Sequence, residues 1–367
     1  MPAPTGREPA IGWRLPPFYC PDERGELLHP EVEKIEQRAL AWVDEFDVYP
    51  NATERAWGLA CNAVDYSCRM APRGDQDILL LFILWNYWAT ALDDWHDSGD
   101  EGTGAADITD HSARLIRAIE APGSSMLPQS RLTASLDDLV RRSRQLLSPY
   151  QLRRFGEGAR DWLLGASWQT ANTERGVMPA LNDFAGMRGS VNGTRFTMTF
   201  VEAAEGIHLA PDVLYSAPVQ ALTDAAGFVV SCDNDLFSFA KEDHLEVPDQ
   251  NLVNVLVHAR GGTPADVLPE AVALRDRAMS LFLRLRARLN EEGDAELRRY
   301  TSALGYYITG FIEGERTAPR YASPRNRHPL PVPGAAFEIS YRDTPSDPDP
   351  GPPPIPSIAW WWDQLAA

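Results

Sequence analysis

Two groups of oxygen-bearing side chains, far apart in the chain, have the types and spacing to hold hard cations. The first is Asp93-Asp94-Trp95-His96-Asp97, which ends an apolar run containing Leu79, Leu80, Leu81, Phe82, Ile83, Leu84 and Trp85. In a helix Asp93 and Asp97 fall within roughly 40° of each other on one face. Like charges at that spacing repel, so the cluster either stays solvated or takes a compensating cation. Magnesium suits the second case, because it prefers oxygen and is held by one or two carboxylates plus substrate phosphates and water. The aspartates alone support a solvated helix end and a metal site about equally. His96 reads as a neighbour or hydrogen-bond donor, since no second nitrogen ligand accompanies it.

The second group is Asn234, Ser238 and Glu242, spaced i, i+4, i+8 and therefore a column on one side of a helix. An amide oxygen, a hydroxyl and a carboxylate are oxygen ligands carrying a single negative charge among them. That inventory suits a site where a diphosphate brings the remaining charge. Lys241, beside Glu242, can reach a phosphate oxygen as a point charge. The column follows Ala225-Ala226-Gly227-Phe228-Val229-Val230, so a helix apolar enough to be central carries a polar stripe at its end.

The elements that must position these groups are helices. Helical periodicity is clear over 31–46, 75–97, 111–121, 130–147, 152–173, 181–205, 212–242, 266–289 and 295–315. Gly, Pro, Asn and Asp punctuate the joints, and no alternating strand pattern of useful length appears. The expectation is a single large all-α domain over 30–322, a helical bundle around a central cavity. An extended, Pro-rich segment precedes it at 1–29, and a Pro-rich tail at 323–367, ending in Trp360-Trp361-Trp362, is expected to be a flexible linker with an aromatic end. Stepping back along the face of Asp93 gives Thr90, Ala89, Asn86 and Trp85. These would line a cavity wall, with Trp85 offering a π face to a cation and Ala89 and Thr90 leaving room.

Composition narrows the partners. The 367 residues carry 52 acidic and 34 basic side chains, a net charge of −18, which excludes a broad phosphate-neutralising nucleic-acid surface. Such a chain binds an anion only through metal ions or a local basic cluster. The four cysteines form no paired motif, so buried thiols in a reducing cytoplasm are expected. The N-terminus lacks the apolar run of a signal peptide, and the stretch from Ile78 to Trp85 is too short to span a bilayer. A soluble, cytoplasmic protein is expected, without a nucleic-acid partner or a membrane span; a homodimer is compatible with this reading.

On these residues the chain resembles the bacterial class I terpene synthases. Asp93-Asp94-Trp95-His96-Asp97 matches that family's DDxxD motif, and Asn234-x-x-x-Ser238-x-x-Lys241-Glu242 its NSE motif. Val177 to Arg188 resembles the segment bearing a diphosphate-sensing arginine, and Arg320-Tyr321 the pair that hydrogen-bonds diphosphate. The resemblance spans roughly residues 12–322 and implies the class I helical bundle. It implies three Mg²⁺ ions, held by Asp93 and Asp97 and by Asn234, Ser238 and Glu242, with Asp94 orienting. Arg188, Lys241, Arg320 and Tyr321 would bind diphosphate, and Asn192 would supply the effector carbonyl at a helix break marked by Gly189 and Gly193. Trp85, Asn86, Ala89, Thr90, Phe184, Tyr307 and Phe311 would line the substrate cavity.

The activity implied is ionisation of a linear prenyl diphosphate and cyclisation of the cation. The family's usual substrate favours farnesyl diphosphate, and the small Ala89 and Thr90 keep geranylgeranyl diphosphate close behind. The sequence departs from the family's pattern at Val191, where an acidic or amide linker is usual, and at Gly305-Tyr306-Tyr307. A chain-elongating prenyltransferase would carry a second Asp-rich motif in place of the Asn/Ser/Glu column. A silent helical protein acting through its Pro/Trp tail would need none of these motifs.

Overall fold

The computed structural model describes residues 13–20, 27–96, 103–124, 126–242, 248–323 and 329–366. The side chain of Glu242 also lies outside the described set, as does all of Asp97. The helices in chain order are α1 (Val32–Glu45), α2 (Ala52–Leu59), α3 (Ala63–Met70), α4 (Gln76–His96), α5 (Ala105–Glu120), α6 (Arg131–Leu146), α7 (Pro149–Glu174) and α8 (Leu181–Val191). They continue with α9 (Thr194–Ala204), α10 (Pro211–Leu214), α11 (Ala217–Glu242), α12 (Leu252–Arg260), α13 (Pro264–Glu292), α14 (Ala295–Arg316), α15 (Pro319–Ala322) and α16 (Pro356–Asp363). Among the described residues the only strands are β1 (Phe18–Tyr19) and β2 (Tyr341–Arg342), paired in parallel.

Local chemistry starts the helices where they start. Ser148 and Gln151 form a capping box at α7, with Pro149 in the first turn. Asn51, Ser130, Asn251 and Asp294 cap α2, α6, α12 and α14 by accepting backbone N–H bonds. Asp75 accepts from the N–H groups of Asp77 and Ile78 and so caps α4.

Helix α4 is the axis of the bundle: α1, α2, α3, α6 and α9 all pack on it. From Leu79 to Leu92 its side chains are buried except Asn86, Ala89, Thr90 and Ala91. Helix α11 is likewise buried from Ala225 to Phe239 apart from Asn234. It packs along α13 and α14, while α3 runs along α14. That last contact is close because Gly310 and Gly314 face α3. A Cβ at Gly310 would lie 2.7 Å from the Met70 nitrogen, and one at Gly314 2.2 Å from the Tyr66 Cβ.

Two expectations are corrected. The segment 181–205, read as one helix, is two, broken at Asn192-Gly193. The tail is not a loose linker but is seated on the bundle. Ser357 donates through its N–H and hydroxyl to Asn182 of α8, at 2.9 and 2.8 Å. Trp361 packs 5.9 Å from Phe228 of α11. Arg277 of α13 pairs with Asp347 and Asp349, so the acids between the prolines are anchors. The prolines forbid helix across 350–354, yet Pro356 is favourable in the first turn of α16. All four cysteines are buried, and no described helix is long and apolar enough to cross a membrane.

Candidate active site

Most of the accessible positions in the second half of α4, Asn86, Ala89, Thr90, Asp93 and Asp94, trace one stripe, with Ala91 and Trp95 beside it. Their spacing of three and four residues puts them on a single face, which ends in the aspartates. Asn86 donates back to the carbonyl of Phe82 at 3.0 Å. The bulky rings point elsewhere. Trp85 has no accessible surface; it donates to Ser143 of α6 and packs against Trp88, Phe155 and Phe196. The expectation that Trp85 offers a face to the cavity is therefore corrected: its π surface is spent on packing between α4, α6, α7 and α9.

The two aspartates differ in state. Asp94 receives both guanidinium nitrogens of Arg320, the Nη1 bond being 3.1 Å, and Arg320 is itself buried against the carbonyl of Trp57. Asp93 is exposed to solvent, although protein crowds closely around its carboxyl. That enclosure, and then the Asp94 charge, raise its carboxyl above the usual range, while Lys241 and Arg320 pull it back. Lys241 in turn sits 5.8 Å above the Tyr321 ring. The ends of α4, α11 and α15 thus meet at one place, as the separate motifs require. His96 is buried, its Nε2 unpartnered among the described residues, and burial followed by His111 lowers its pKa to about 4. It is a neutral neighbour of the cluster.

On α11, Asn234 accepts a 3.1 Å bond from Arg188 Nη2. Arg188 also binds Asp235, whose other oxygen accepts from the N–H of Leu252 at the start of α12. Asp235 was not among the expected site residues. Its signal was an acid inside an apolar helix, which must have a cationic partner. Asp249, also unanticipated, lies near enough to raise both Asp93 and Asp235. One turn after Asn234, Ser238 is 2% exposed, and its hydroxyl has no hydrogen-bond partner among the described residues. Such an orphan costs about 1–3 kcal/mol unless a ligand meets it. A column of an amide oxygen, an unsatisfied hydroxyl and a third oxygen residue fits a hard cation. Asp97 and the Glu242 carboxylate fall outside the described residues.

The break after Arg188 that the resemblance implied, and through which the periodicity of 181–205 ran unmarked, is present. Asn192 caps α8, Gly193 takes φ +64°, and α9 begins at Thr194. Helix α7 presses on this break through Gly165, where a Cβ would stand 2.7 Å from the Val191 nitrogen. The Asn192 side chain donates to Ser231 of α11 at 3.3 Å. Phe184, Tyr307 and Phe311 are buried; Phe311 lies 6.4 Å from Tyr66, a half-buried ring of α3 that the motifs did not reveal.

Residues 84–280 match the family model described as terpene synthase family 2, C-terminal metal binding. The chain is 32% identical to bonnadiene synthase of Allokutzneria albata over 95% of its own length and 97% of that protein's. The crystal structure of SVS_A2, a protein from ancestral sequence reconstruction, superposes with a TM-score of 0.83 at 36% identity, covering 96% of this chain and all of that one. The 2-methylisoborneol synthase of Streptomyces coelicolor A3(2), solved with Mg²⁺ and 2-fluoroneryl diphosphate, shares the fold at a TM-score of 0.76 and 21% identity, with coverage of 84% and 98%. The chain belongs to the bacterial class I terpene synthase family.

Proposed function

We propose that this enzyme ionises geranylgeranyl diphosphate and cyclises the resulting cation. The observation that carries the substrate length is the stripe on α4. Every aromatic ring of that helix between Leu79 and Leu92 is buried, and only Asn86, Ala89, Thr90 and Ala91 remain accessible. The family's usual farnesyl substrate gives way here to the longer chain, because small residues are what this wall presents.

The residues suited to Mg²⁺, three ions by the family's pattern, are Asp93 with Asp97, and Asn234 with Ser238 and Glu242; the unsatisfied Ser238 hydroxyl supports the second set. Bound there, the ions would neutralise the departing diphosphate. Arg188, Lys241, Arg320 and Tyr321 supply the local positive field that a chain of net charge −18 otherwise lacks. Asp94 orients Arg320 by its paired bonds. Asp235 does the same for Arg188, whose bond to the Asn234 oxygen leaves that oxygen a second lone pair for a cation. In this reading the Asn192 carbonyl at the break and the rings of Phe184, Tyr307, Phe311 and Tyr66 would face developing positive charge. Excluding water from that cavity keeps the cation from being quenched.

Comparing kcat/KM for the ten-, fifteen- and twenty-carbon diphosphates tests the length assignment. The twenty-carbon substrate should be fastest, and Ala89→Phe should lower its kcat/KM at least about tenfold while sparing the fifteen-carbon one. Faster turnover of farnesyl diphosphate by the unaltered enzyme would contradict it.

A further inference from the structure

The described parts of both terminal segments converge on the last turns of α11, behind the column of Asn234 and Ser238. Trp13 donates to the carbonyl of Leu236 at 2.9 Å, and its ring lies 4.4 Å from that of Phe239. Phe237 is held between Phe18 of β1 and Phe337 of the tail, each 5.4 Å away. Between these contacts runs a chain of buried charges. Arg275 of α13 grips Asp233 bidentately, at 2.8 and 3.1 Å, with the two side chains 1% and 0% exposed. The same guanidinium donates to the carbonyl of Tyr19 in β1. Its neighbour Asp276 accepts from Arg342 of β2 and, at 2.8 and 2.7 Å, from the N–H and hydroxyl of Ser346.

A buried ion pair is poor evidence for stability, because apolar replacements of similar volume often leave a fold equally stable. The placement suggests another reason for this one. Asp233 lies about 100° around the helix axis from Asn234, and Leu236 is farther round the back. The grip at 233, 236, 237 and 239 thus leaves the face of Asn234, Ser238 and Lys241 free. Rotating a helix by roughly 20° moves a side-chain oxygen ~5 Å from its axis by about 2 Å. Metal-ligand distances tolerate only about ±0.2 Å.

We propose that Arg275 is a positioning residue for the cation-holding column, and that it works with the two terminal segments as a brace fixing the rotation of the last turns of α11. This rests on reading Asn234, Ser238 and Glu242 as ion ligands. The test is calorimetric binding of inorganic diphosphate at fixed Mg²⁺, alongside thermal melting, for Asp233→Leu/Arg275→Met. A comparable pair, Arg154 and Glu202, joins α7 to α9 away from the column; Arg154→Met/Glu202→Leu is the control. The first double variant should melt cooperatively and bind Mg²⁺-dependent diphosphate at least about tenfold more weakly, the usual scale for outer-shell losses. The control should bind as the unaltered protein does, whatever its melting temperature. If the first double variant does not fold, Arg275→Lys and Trp13→Phe carry the test, with a severalfold loss of affinity expected from each. Unchanged affinity in the folded variants overturns the brace. Failure of the unaltered protein itself to bind Mg²⁺ and diphosphate removes the ligand assignment, and the brace with it.

Discussion

Asp93 and Asp94 are adjacent, yet their surroundings give them opposite consequences when altered. Asp94 neutralises a buried arginine, so Asp94→Asn strands the Arg320 charge and should cost about 3 kcal/mol or more, seen as a lowered melting temperature together with lost turnover. Asp93 is a carboxylate held at a cost beside another. Asp93→Asn should leave melting unchanged or raise it while abolishing turnover, and a large fall in melting temperature would contradict that assignment. His96 adds a pH term. Its folded pKa, about 4, lies below the unfolded value of 6.5, so the unfolded chain takes the proton first as the pH falls. The stability associated with neutral His96 is present above about pH 6.5 and drains away toward about 4, by at most roughly 3 kcal/mol. Melting of His96→Gln should accordingly fall less steeply than the unaltered protein across that window. Most of these polar residues were legible in the sequence because their chemistry is unusual at the end of an apolar helix. Trp85 was not, since a helix that is apolar all round gives no sign of which ring faces inward.

Among the elements, the break between α8 and α9 is the one on which the proposed reaction leans most. It was legible only through its glycines, because the flanking periodicity runs straight through it. Gly165→Leu should drive α7 off the Val191 backbone, costing about 1–3 kcal/mol by overpacking. It should also reduce turnover beyond what the lost folded fraction explains, which melting and single-turnover product formation together would measure. Helices α2 and α3 escaped the periodicity reading because each has only eight residues. Helix α16 escaped because the prolines before it read as disorder, whereas Arg277 and Asn182 give that stretch specific anchors. Tyr66 escaped with α3: its position beside Phe311 is set by the close α3–α14 contact and leaves no local signature.

At the scale of the molecule, an acidic chain sets Lys241 and Arg320 near Asp93, and Arg188 on Asp235, an arrangement that in the proposed function would favour diphosphate and divalent cation together over either alone. Single-class helical composition made the bundle readable, while the seating of the tail depended on contacts between residues distant in the chain, from 70 positions for Arg277 with Asp347 to 175 for Ser357 with Asn182. The most direct measurement is product formation from geranylgeranyl diphosphate by purified protein, followed by mass spectrometry of the hydrocarbons and by diphosphate release. With Mg²⁺, a cyclic hydrocarbon and diphosphate should form together. Neither should form in EDTA or with Asn234→Ala, whose far-UV helicity should match that of the unaltered protein. Cyclic product persisting in EDTA, or in Asn234→Ala at an undiminished rate, would contradict the account.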